Sequence, residues 1–211
     1  MLDADRTLAE PDTGRLVGEA FEVNSRIRSV FAAQGYSTQA FANVSEIWSG
    51  VALEHYSAQI ERVATAVELF ACWSEVLVRL YGRRPIFVVT SGIPQVWRQI
   101  LNRCGFADIP VLGGCHPATD EFLMDAETKR RVVAGIQARG LRVAAAGDSL
   151  IDEAMLRQAD FRIVVPDAKG SAALRHALAG ADNTCLLCPD DRRFADLPLI
   201  SPMEIVAQVL A

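Results

Sequence analysis

The sequence predicts an α/β fold in which helices cover both faces of a parallel sheet. From residue 86 to residue 211, short apolar runs alternate with amphipathic helical patterns, as expected for strands joined by helical crossovers. Between residues 14 and 81 the apolar patterns are helical and no strand-like run occurs. We therefore interpret 13–65 as a helical module inserted after a first strand, and 1–12 with 66–211 as the α/β core.

Five apolar runs predict the later strands of the sheet, and four amphipathic patterns predict the helices among them. The strands are expected at 85–90, 109–114, 141–148, 161–166 and 184–189, and the helices at 91–105, 125–140, 149–159 and 201–210. The helix at 91–105 has the clearest start and stop signals. Ser91 is a candidate N-cap, Pro94 lies in the first turn, and Gly105 is a candidate C-terminal stop.

The helical module is expected to begin with one long amphipathic helix over residues 15–33. Its apolar positions recur at spacings of four and three, at Leu16, Ala20, Val23, Ile27 and Val30. The helical pattern continues through "QAFANVSEIW", with Phe41, Val44 and Trp48 on one side and a break at Ser49-Gly50. A further helix then leads through "ELFACWSEVLVRLYG" back to the sheet.

Composition excludes several classes of function. The chain has 211 residues and a formal net charge of -5, and 51% of its residues are hydrophobic. It has no stripe rich in Lys and Arg, which disfavours nucleic acid and anionic membranes as partners. No apolar run approaches the roughly 20 residues of a membrane span, and the acidic start lacks the pattern of a signal peptide. We expect a cytoplasmic protein, and its oligomeric state is not predicted.

Two acidic residues open the chain. In a strand, Asp3 and Asp5 face the same side, as does Thr7. Paired carboxylates repel each other and hold protons more tightly unless a cation lies between them. Mg²⁺, a hard cation that prefers oxygen ligands, would remove this repulsion. A solvated acidic terminus is the alternative, and it would be favoured if these residues stood alone.

Downstream residues change this interpretation. Asp148 follows the apolar strand "LRVAAAG", and Asp152 lies four residues later. Ser91 follows another strand at the start of a helix, where free N–H groups attract anions such as phosphate. Lys129 lies early in the helix at 125–140 and can neutralise a phosphate oxygen or the aspartates. Because ligand sites in parallel sheets lie at the carboxyl ends of strands, we expect these groups to meet there.

In their order, these groups resemble the motifs of the haloacid dehalogenase (HAD) superfamily of phosphohydrolases. "DADRT" at 3–7 matches D-x-D-x-T, Ser91-Gly92 follows as the second motif, Lys129 as the third, and "GDSLID" at 147–152 matches GD-x-x-x-D. The resemblance spans essentially the whole chain. It implies a Rossmann-like core and a small all-helical cap of the class found in phosphoserine phosphatase.

The resemblance implies a Mg²⁺-dependent phosphatase that acts on a small soluble phosphomonoester. Asp3 would attack phosphorus and form an aspartyl-phosphate. Asp5 would protonate the leaving oxygen and then activate the hydrolytic water. The Asp3 carboxylate, the backbone carbonyl of Asp5 and Asp148 would hold the metal. A carboxylate nucleophile divides one difficult displacement into two easier steps.

The remaining motif residues would bind phosphate or support the site. The resemblance implies that Ser91, Gly92 and Lys129 hold the phosphoryl oxygens. Asp152 would support the metal or Lys129, and Thr7 would support the first motif. Metal and lysine together neutralise charge on the transferring group, which is most of what phosphoryl transfer requires.

The sequence departs from the family pattern at four places. Only Met1 and Leu2 precede Asp3 where a full strand is expected, so either the native start lies upstream or the strand is short. Arg6 replaces a glycine or small residue, and it either contacts the substrate or projects into solvent. Asp12 replaces a glutamate that contacts the substrate amine in phosphoserine phosphatase, and Ile151 replaces an asparagine. These changes put phosphoserine in doubt as the substrate.

The motifs are also compatible with two other functions. The same intermediate would serve a phosphotransferase that passes the phosphoryl group to an alcohol. A catalytically poor regulatory or binding module on the same scaffold is the second alternative.

Three further features of the sequence are interpreted as follows. The Cys185-x-x-Cys188 spacing is a weak zinc signal, and we interpret it as part of a short buried strand. His116 is interpreted as a loop residue, and Asp167 with Lys169 as possible neighbours of the site.

Overall fold

The computed structural model describes residues 1–114, 123–167, 171–189 and 196–211, so His116 and Lys169 lie outside the described residues. The strands are β1 (Val88–Thr90), β2 (Val111–Gly113), β3 (Ala144–Gly147), β4 (Phe161–Val164) and β5 (Thr184–Leu186). The helices are α1 (Thr13–Glu19), α2 (Asn24–Gln34), α3 (Thr38–Ser49), α4 (Leu53–Ala66), α5 (Ala71–Leu80), α6 (Pro94–Arg103), α7 (Ala126–Gln137), α8 (Glu153–Gln158), α9 (Ala172–Ala177) and α10 (Pro202–Leu210), with a 3₁₀ turn at Leu150–Asp152.

The chain folds into two compact units. The first unit contains Met1–Glu10, Leu69–Val88 and Ala126–Ala211, and the second contains Pro11–Glu68 and Val89–Asp125. The assignment of 13–65 as a separate cap domain stays a prediction.

A parallel sheet organises the first unit. β3, β4 and β5 are hydrogen-bonded in that order, and Ala144 pairs with Phe161 at the start of the register. Leu2 forms single parallel bridges to Val88 and to Ala146, so the predicted first strand is present as one paired residue between β1 and β3. Because the amide of Asp3 donates to the carbonyl of Ala146 at 2.9 Å, Asp3 leaves the sheet at the same edge as the end of β3.

Pairs of amphipathic helices pack in the first unit, α5 against α10 and α7 against α8. Their buried faces include Trp73 and Leu77 of α5, Ile205 of α10, and Met155 of α8. Burying side chains of this size stabilises the fold by about 1.5–3 kcal/mol each. The predicted helices at 125–140 and 201–210 are confirmed, whereas α9 was not predicted.

Helices dominate the second unit, where α2 packs on α3 and α4 packs on both α1 and α6. The predicted face of α3 is confirmed, because Phe41, Val44 and Trp48 are buried. Trp48 meets the ring of Tyr56 edge-on, with centroids 5.5 Å apart. Gly50 caps α3 at the predicted break.

The prediction of one helix over 15–33 is wrong. The chain forms α1 and α2 with a break between them, and Glu22 in the break has a left-handed φ of 54°. The side-chain amide of Asn24 donates to the carbonyl of Arg15 at 2.9 Å, and Gly18 leaves the space that Asn24 occupies. Of the five residues in the predicted apolar stripe, only Val23 is buried.

β1 pairs with β2, and its last two residues belong to the second unit. Gly113 of β2 has a φ of 155°, and a Cβ there would collide with the carbonyl oxygen of Thr90. α6 begins at Pro94 and ends before Gly105, whose φ is 85°, as these two residues predicted. The prediction of Ser91 as the cap of this helix is wrong, because Ile93 occupies the N-cap position and its side chain makes no capping hydrogen bond. Among the described residues, none of the helices is both long and apolar enough to span a bilayer.

Candidate active site

An acidic cluster lies at the edge of the first unit's sheet where Leu2 and β3 end. Asp3 follows Leu2, Asp148 follows β3, and Asp152 closes the 3₁₀ turn after it. All three aspartates are buried, and each offers a carboxylate oxygen within 4.8 Å of the other two. The structure therefore brings together three acids that lie up to 149 residues apart in the sequence.

Lys129 of α7 is fully buried between two of these acids. Its Nζ donates to Asp3 Oδ1 at 2.6 Å and to Asp152 Oδ1 at 2.7 Å. Burial alone would lower the pKa of Lys129, but the charges of Asp152 and Asp3 outweigh it and raise the pKa above its usual value. Lys129 is therefore a permanent cation in the cluster.

The second oxygen of Asp152 is held by the turn that carries it. Asp152 Oδ2 accepts from the amide of Asp148, and from the amide and hydroxyl of Ser149, each at 3.3 Å. A Cβ on Gly147 would lie 2.5 Å from the Cβ of Asp152, so only glycine leaves room for this arrangement. Ser149 was missed by the sequence analysis, although Ser-x-x-Asp spacing at a helix start is a capping signal.

Asp3 is fixed on both oxygens. Its Oδ2 accepts the hydroxyl of buried Thr7 at 2.9 Å, while Oδ1 accepts from Lys129. The amides of Thr7 and Leu8 donate to the carbonyl of Ala4, so a tight turn carries Thr7 back toward Asp3. Burial and the charge of Asp152 raise the pKa of Asp3 to about 6. Asp5 lies half-buried in this turn.

Within the part of the chain that the structure describes, the carboxyl group of Asp148 has fewer hydrogen-bonding partners than those of Asp3 and Asp152. It is 4% exposed, and its Oδ2 has no hydrogen-bond partner among the described residues. Burial and the charges of Asp3 and Asp152 raise the pKa of Asp148 to about 9. A buried carboxylate oxygen without a partner is costly, and a hard divalent cation is the ligand that such an oxygen suits. The donor set of this cluster therefore fits a divalent metal.

Arg6 approaches Asp148 from the first motif. Its Nη1 lies 3.9 Å from Asp148 Oδ2, and its side chain is 41% exposed. The backbone of Arg6 is left-handed, with a φ of 60°.

Three further predicted residues lie in the second unit. The Ser91 hydroxyl donates to the carbonyl of Met124, and the amide of Gly92 donates to Thr90 Oγ1 at 3.0 Å. Asp12 caps α1 by accepting from the amide of Arg15 at 2.9 Å.

Another pair in the second unit was missed by the sequence analysis. The Thr38 hydroxyl donates to the carboxylate of Asp125, which is 6% exposed. These residues are 87 apart in the sequence, and no local pattern links them.

The cysteines show no sign of a zinc site among the described residues. Cys185 lies in β5, where burial raises the pKa of its thiol to about 12. A thiol in this state is a structural group rather than a metal ligand.

This fold and cluster define a class of enzyme. The model of the haloacid dehalogenase-like hydrolases matches residues 1–157, and the chain belongs to that family. The superfamily, the α/β fold and the prediction of an enzyme are thereby confirmed. The sequence matches no curated protein.

Solved structures share the fold. A substrate-bound phosphoserine phosphatase complex has a TM-score of 0.65 at 16% identity, with 99% of this chain and 96% of that chain covered. A phospho-aspartyl intermediate analogue of phosphoserine phosphatase has a TM-score of 0.63 at 16% identity over the same shares. A HAD-family hydrolase from Salmonella enterica serovar Typhi has a TM-score of 0.62 at 15% identity, with 83% and 63% covered.

Proposed function

We propose that this protein is a Mg²⁺-dependent phosphatase that hydrolyses a small soluble phosphomonoester through an aspartyl-phosphate on Asp3. One observation carries the proposal: the carboxylate of Asp3, which Lys129 and Thr7 hold in place, lies beside Asp148, whose Oδ2 accepts no hydrogen bond from the described residues. The family match and the shared fold with phosphoserine phosphatase support the same chemistry. The composition supports a cytoplasmic location as part of the proposal.

Asp3 is suited to act as the nucleophile. An Asp3 oxygen forms a bond to phosphorus while the bond from phosphorus to the leaving oxygen breaks, and the substrate alcohol departs. Holding the carboxylate in one orientation removes much of the entropic barrier to this attack. Covalent catalysis of this kind replaces one difficult hydrolysis with two easier steps.

Asp5 is proposed to carry the protons. It donates a proton to the leaving oxygen in the first step. In the second step it takes a proton from the water that attacks phosphorus, which releases inorganic phosphate and restores the Asp3 carboxylate. A residue with this task must exchange protons near neutral pH, and its half-buried position in the turn supports such exchange.

Two cations, Mg²⁺ and Lys129, are proposed to neutralise the negative charge of the phosphoryl group. Asp3, Asp148 and the backbone carbonyl of Asp5 would hold Mg²⁺, which when bound neutralises charge on the phosphoryl group and orients it. Lys129 supplies a second, permanent cation, and Asp152 keeps its ammonium group in place.

The substrate contacts rest on the sequence resemblance alone. It assigns phosphate binding to Ser91 and Gly92 and substrate contact to Arg6 and Asp12. The small-molecule substrate is proposed from the same resemblance.

The proposal is tested by trapping the covalent intermediate. Asp3→Asn and Asp5→Asn variants are mixed with an aryl phosphate and Mg²⁺, quenched in acid and weighed by intact-protein mass spectrometry. An aryloxide leaves without a proton, so Asp5→Asn should accumulate the phosphoryl adduct and then stall. Asp3→Asn should show no adduct. An adduct on Asp3→Asn, or equal residual hydrolysis by both variants, would reduce the two aspartates to a metal-binding pair.

Hydrolysis is distinguished from phosphoryl transfer by the products formed from the same aryl phosphate. With wild-type protein, added alcohols should leave the yield of inorganic phosphate unchanged. New phosphorylated alcohol at the expense of inorganic phosphate would establish a phosphotransferase instead.

A further inference from the structure

Arg6 forms an ion pair with Asp148, and its charge, together with the charge of Lys129, opposes the rise in the pKa of Asp148. The hydrogen bonds of Lys129 go to Asp3 and Asp152, which leaves Asp148 outside the Lys129 network. Among the described residues, Asp148 forms an ion pair with Arg6 at 3.9 Å. That distance is too long for a hydrogen bond, so the attraction is electrostatic and leaves the lone pairs of Asp148 Oδ2 available.

The backbone gives no reason for an arginine at this position. A φ of 60° is adopted readily by glycine and at a cost by a residue with a Cβ. Whatever Arg6 contributes must therefore come from its side chain. That side chain has one end near a buried carboxylate and 41% of its surface in solvent. A guanidinium group in this position can leave Asp148 without being buried elsewhere.

We propose that Arg6 is a built-in competitor for the cation site, pairing with Asp148 when no metal is bound and weakening the affinity for Mg²⁺. The inference rests on the cation site of the proposed function. A divalent cation beside Asp148 is repelled by the guanidinium, so binding requires Arg6 to move outward. The sign does not depend on whether Asp148 carries a proton, because Mg²⁺ is repelled twice as strongly as the proton it replaces.

Metal titrations of Arg6 variants test the proposal without any measurement of activity. Arg6→Asn removes the charge and keeps a residue that tolerates a left-handed backbone. Arg6→Gly removes the charge and the backbone cost together, and Arg6→Lys keeps the charge. Arg79→Gln is the matched control, because it removes one positive charge from an exposed ion pair in the same unit.

The full-length proteins are stripped with a chelator and titrated with MgCl₂ by isothermal titration calorimetry. Arg6→Asn and Arg6→Gly should bind Mg²⁺ about three- to fivefold more tightly than wild type, the upper end of the range for a partly exposed ion pair. Arg6→Lys and Arg79→Gln should stay within about twofold of wild type. The rise in melting temperature at a fixed Mg²⁺ concentration should be larger in the two tighter variants, because tighter binding stabilises the folded state more.

The outcomes separate this inference from the proposed function. Unchanged or weaker binding in both Arg6→Asn and Arg6→Gly overturns the competitor role, while Mg²⁺ binding by wild type and its loss in Asp148→Asn keep the cation site. Absence of Mg²⁺ binding in wild type and in every variant overturns the cation site and the competitor role together. If one variant fails to fold, the other decides, since they differ in their backbone demands.

Discussion

The two halves of the acidic cluster compensate their charges in different ways. In the Lys129 half, formed by Asp3, Lys129 and Asp152, the ammonium group bonds both acids and each remaining oxygen of those acids has a further donor. In the Asp148 half, formed by Asp148 and Arg6, Asp148 Oδ2 is buried and accepts no hydrogen bond from the part of the chain that the structure describes, and Arg6 Nη1 lies 3.9 Å away.

This difference suggests that the Lys129 half is a fixed structural framework and that the Asp148 half exchanges its cation. A buried ion pair offsets its desolvation cost only when its geometry and hydrogen bonds are nearly complete, and breaking such a pair is severe. The Lys129 half meets that condition. The Asp148 half does not, so it carries a cost that a bound cation would relieve. We expect substitutions in the first half to cost stability as well as function, and substitutions in the second half to cost function alone.

Asp148→Asn should produce the largest effect, and it should fall on function. The variant removes a charged oxygen from the proposed metal site, so turnover of an aryl phosphate should fall about a thousandfold, on the scale of losing one strong electrostatic contact in a reaction. Stability without metal should change little near neutral pH, because burial raises the pKa of Asp148 to about 9 and the amide then replaces a carboxyl group that is already uncharged. Steady-state kinetics and urea unfolding with a chelator measure both. Near-normal turnover with unchanged Mg²⁺ dependence would remove Asp148 from the site.

Lys129→Met should lower activity and also destabilise the fold. It leaves Asp3 and Asp152 buried without their common cation, at a cost of about 3–5 kcal/mol. Urea unfolding followed by circular dichroism measures the free energy of unfolding. The double variant Lys129→Met/Asp152→Asn should recover part of the loss, since one unpaired charge is neutralised. A loss below about 1 kcal/mol in the single variant would contradict the framework role, because a buried pair broken on one side costs several times more.

Gly147→Ala tests how tightly the Lys129 half is packed. The new Cβ would lie 2.5 Å from the Cβ of Asp152, so the 3₁₀ turn must shift, at about 1–3 kcal/mol. Gly135→Ala in α7 is the matched control, since a Cβ there meets nothing within 4 Å. The control should be neutral or stabilised by up to about 1 kcal/mol. Equal melting temperatures for the two variants would show that the turn has room to spare.

The affinity for Mg²⁺ should depend on pH because of the Asp148 half. Burial raises the pKa of Asp148 to about 9 and that of Asp3 to about 6, so below these values the cation must displace a proton. Affinity should therefore rise with pH and level off above about 9, by at most about tenfold per pH unit for one displaced proton. Calorimetry from pH 6 to 9.5, in buffers of different ionisation enthalpy, reports both affinity and proton release. A flat profile without proton release would mean that Asp148 is already ionised.

Sequence-based prediction succeeded for the site residues that lie at strand ends. It failed for a helix that is interrupted by a change in local backbone conformation. The strand patterns placed Asp3 and Asp148 at one sheet edge, and the structure has them there. The helix predicted over 15–33 failed because periodicity does not register the left-handed residue at Glu22 or the bond from Asn24 to Arg15. Gly18 and Asn24 were the available signals for that break, since both residues are common at helix ends.

The sequence by itself determined the order of elements, the family and the acids at the sheet edge, because apolar periodicity and residue type are local properties. Only the tertiary structure decided how those acids are compensated. Lys129 was expected to approach the aspartates, but its complete burial between Asp3 and Asp152 depends on how α7 packs. That no described residue donates a hydrogen bond to Asp148 Oδ2, and that Arg6 lies 3.9 Å from it, likewise depend on positions in space. Burial and distance set the strength of a charge interaction, and neither can be read from the order of residues.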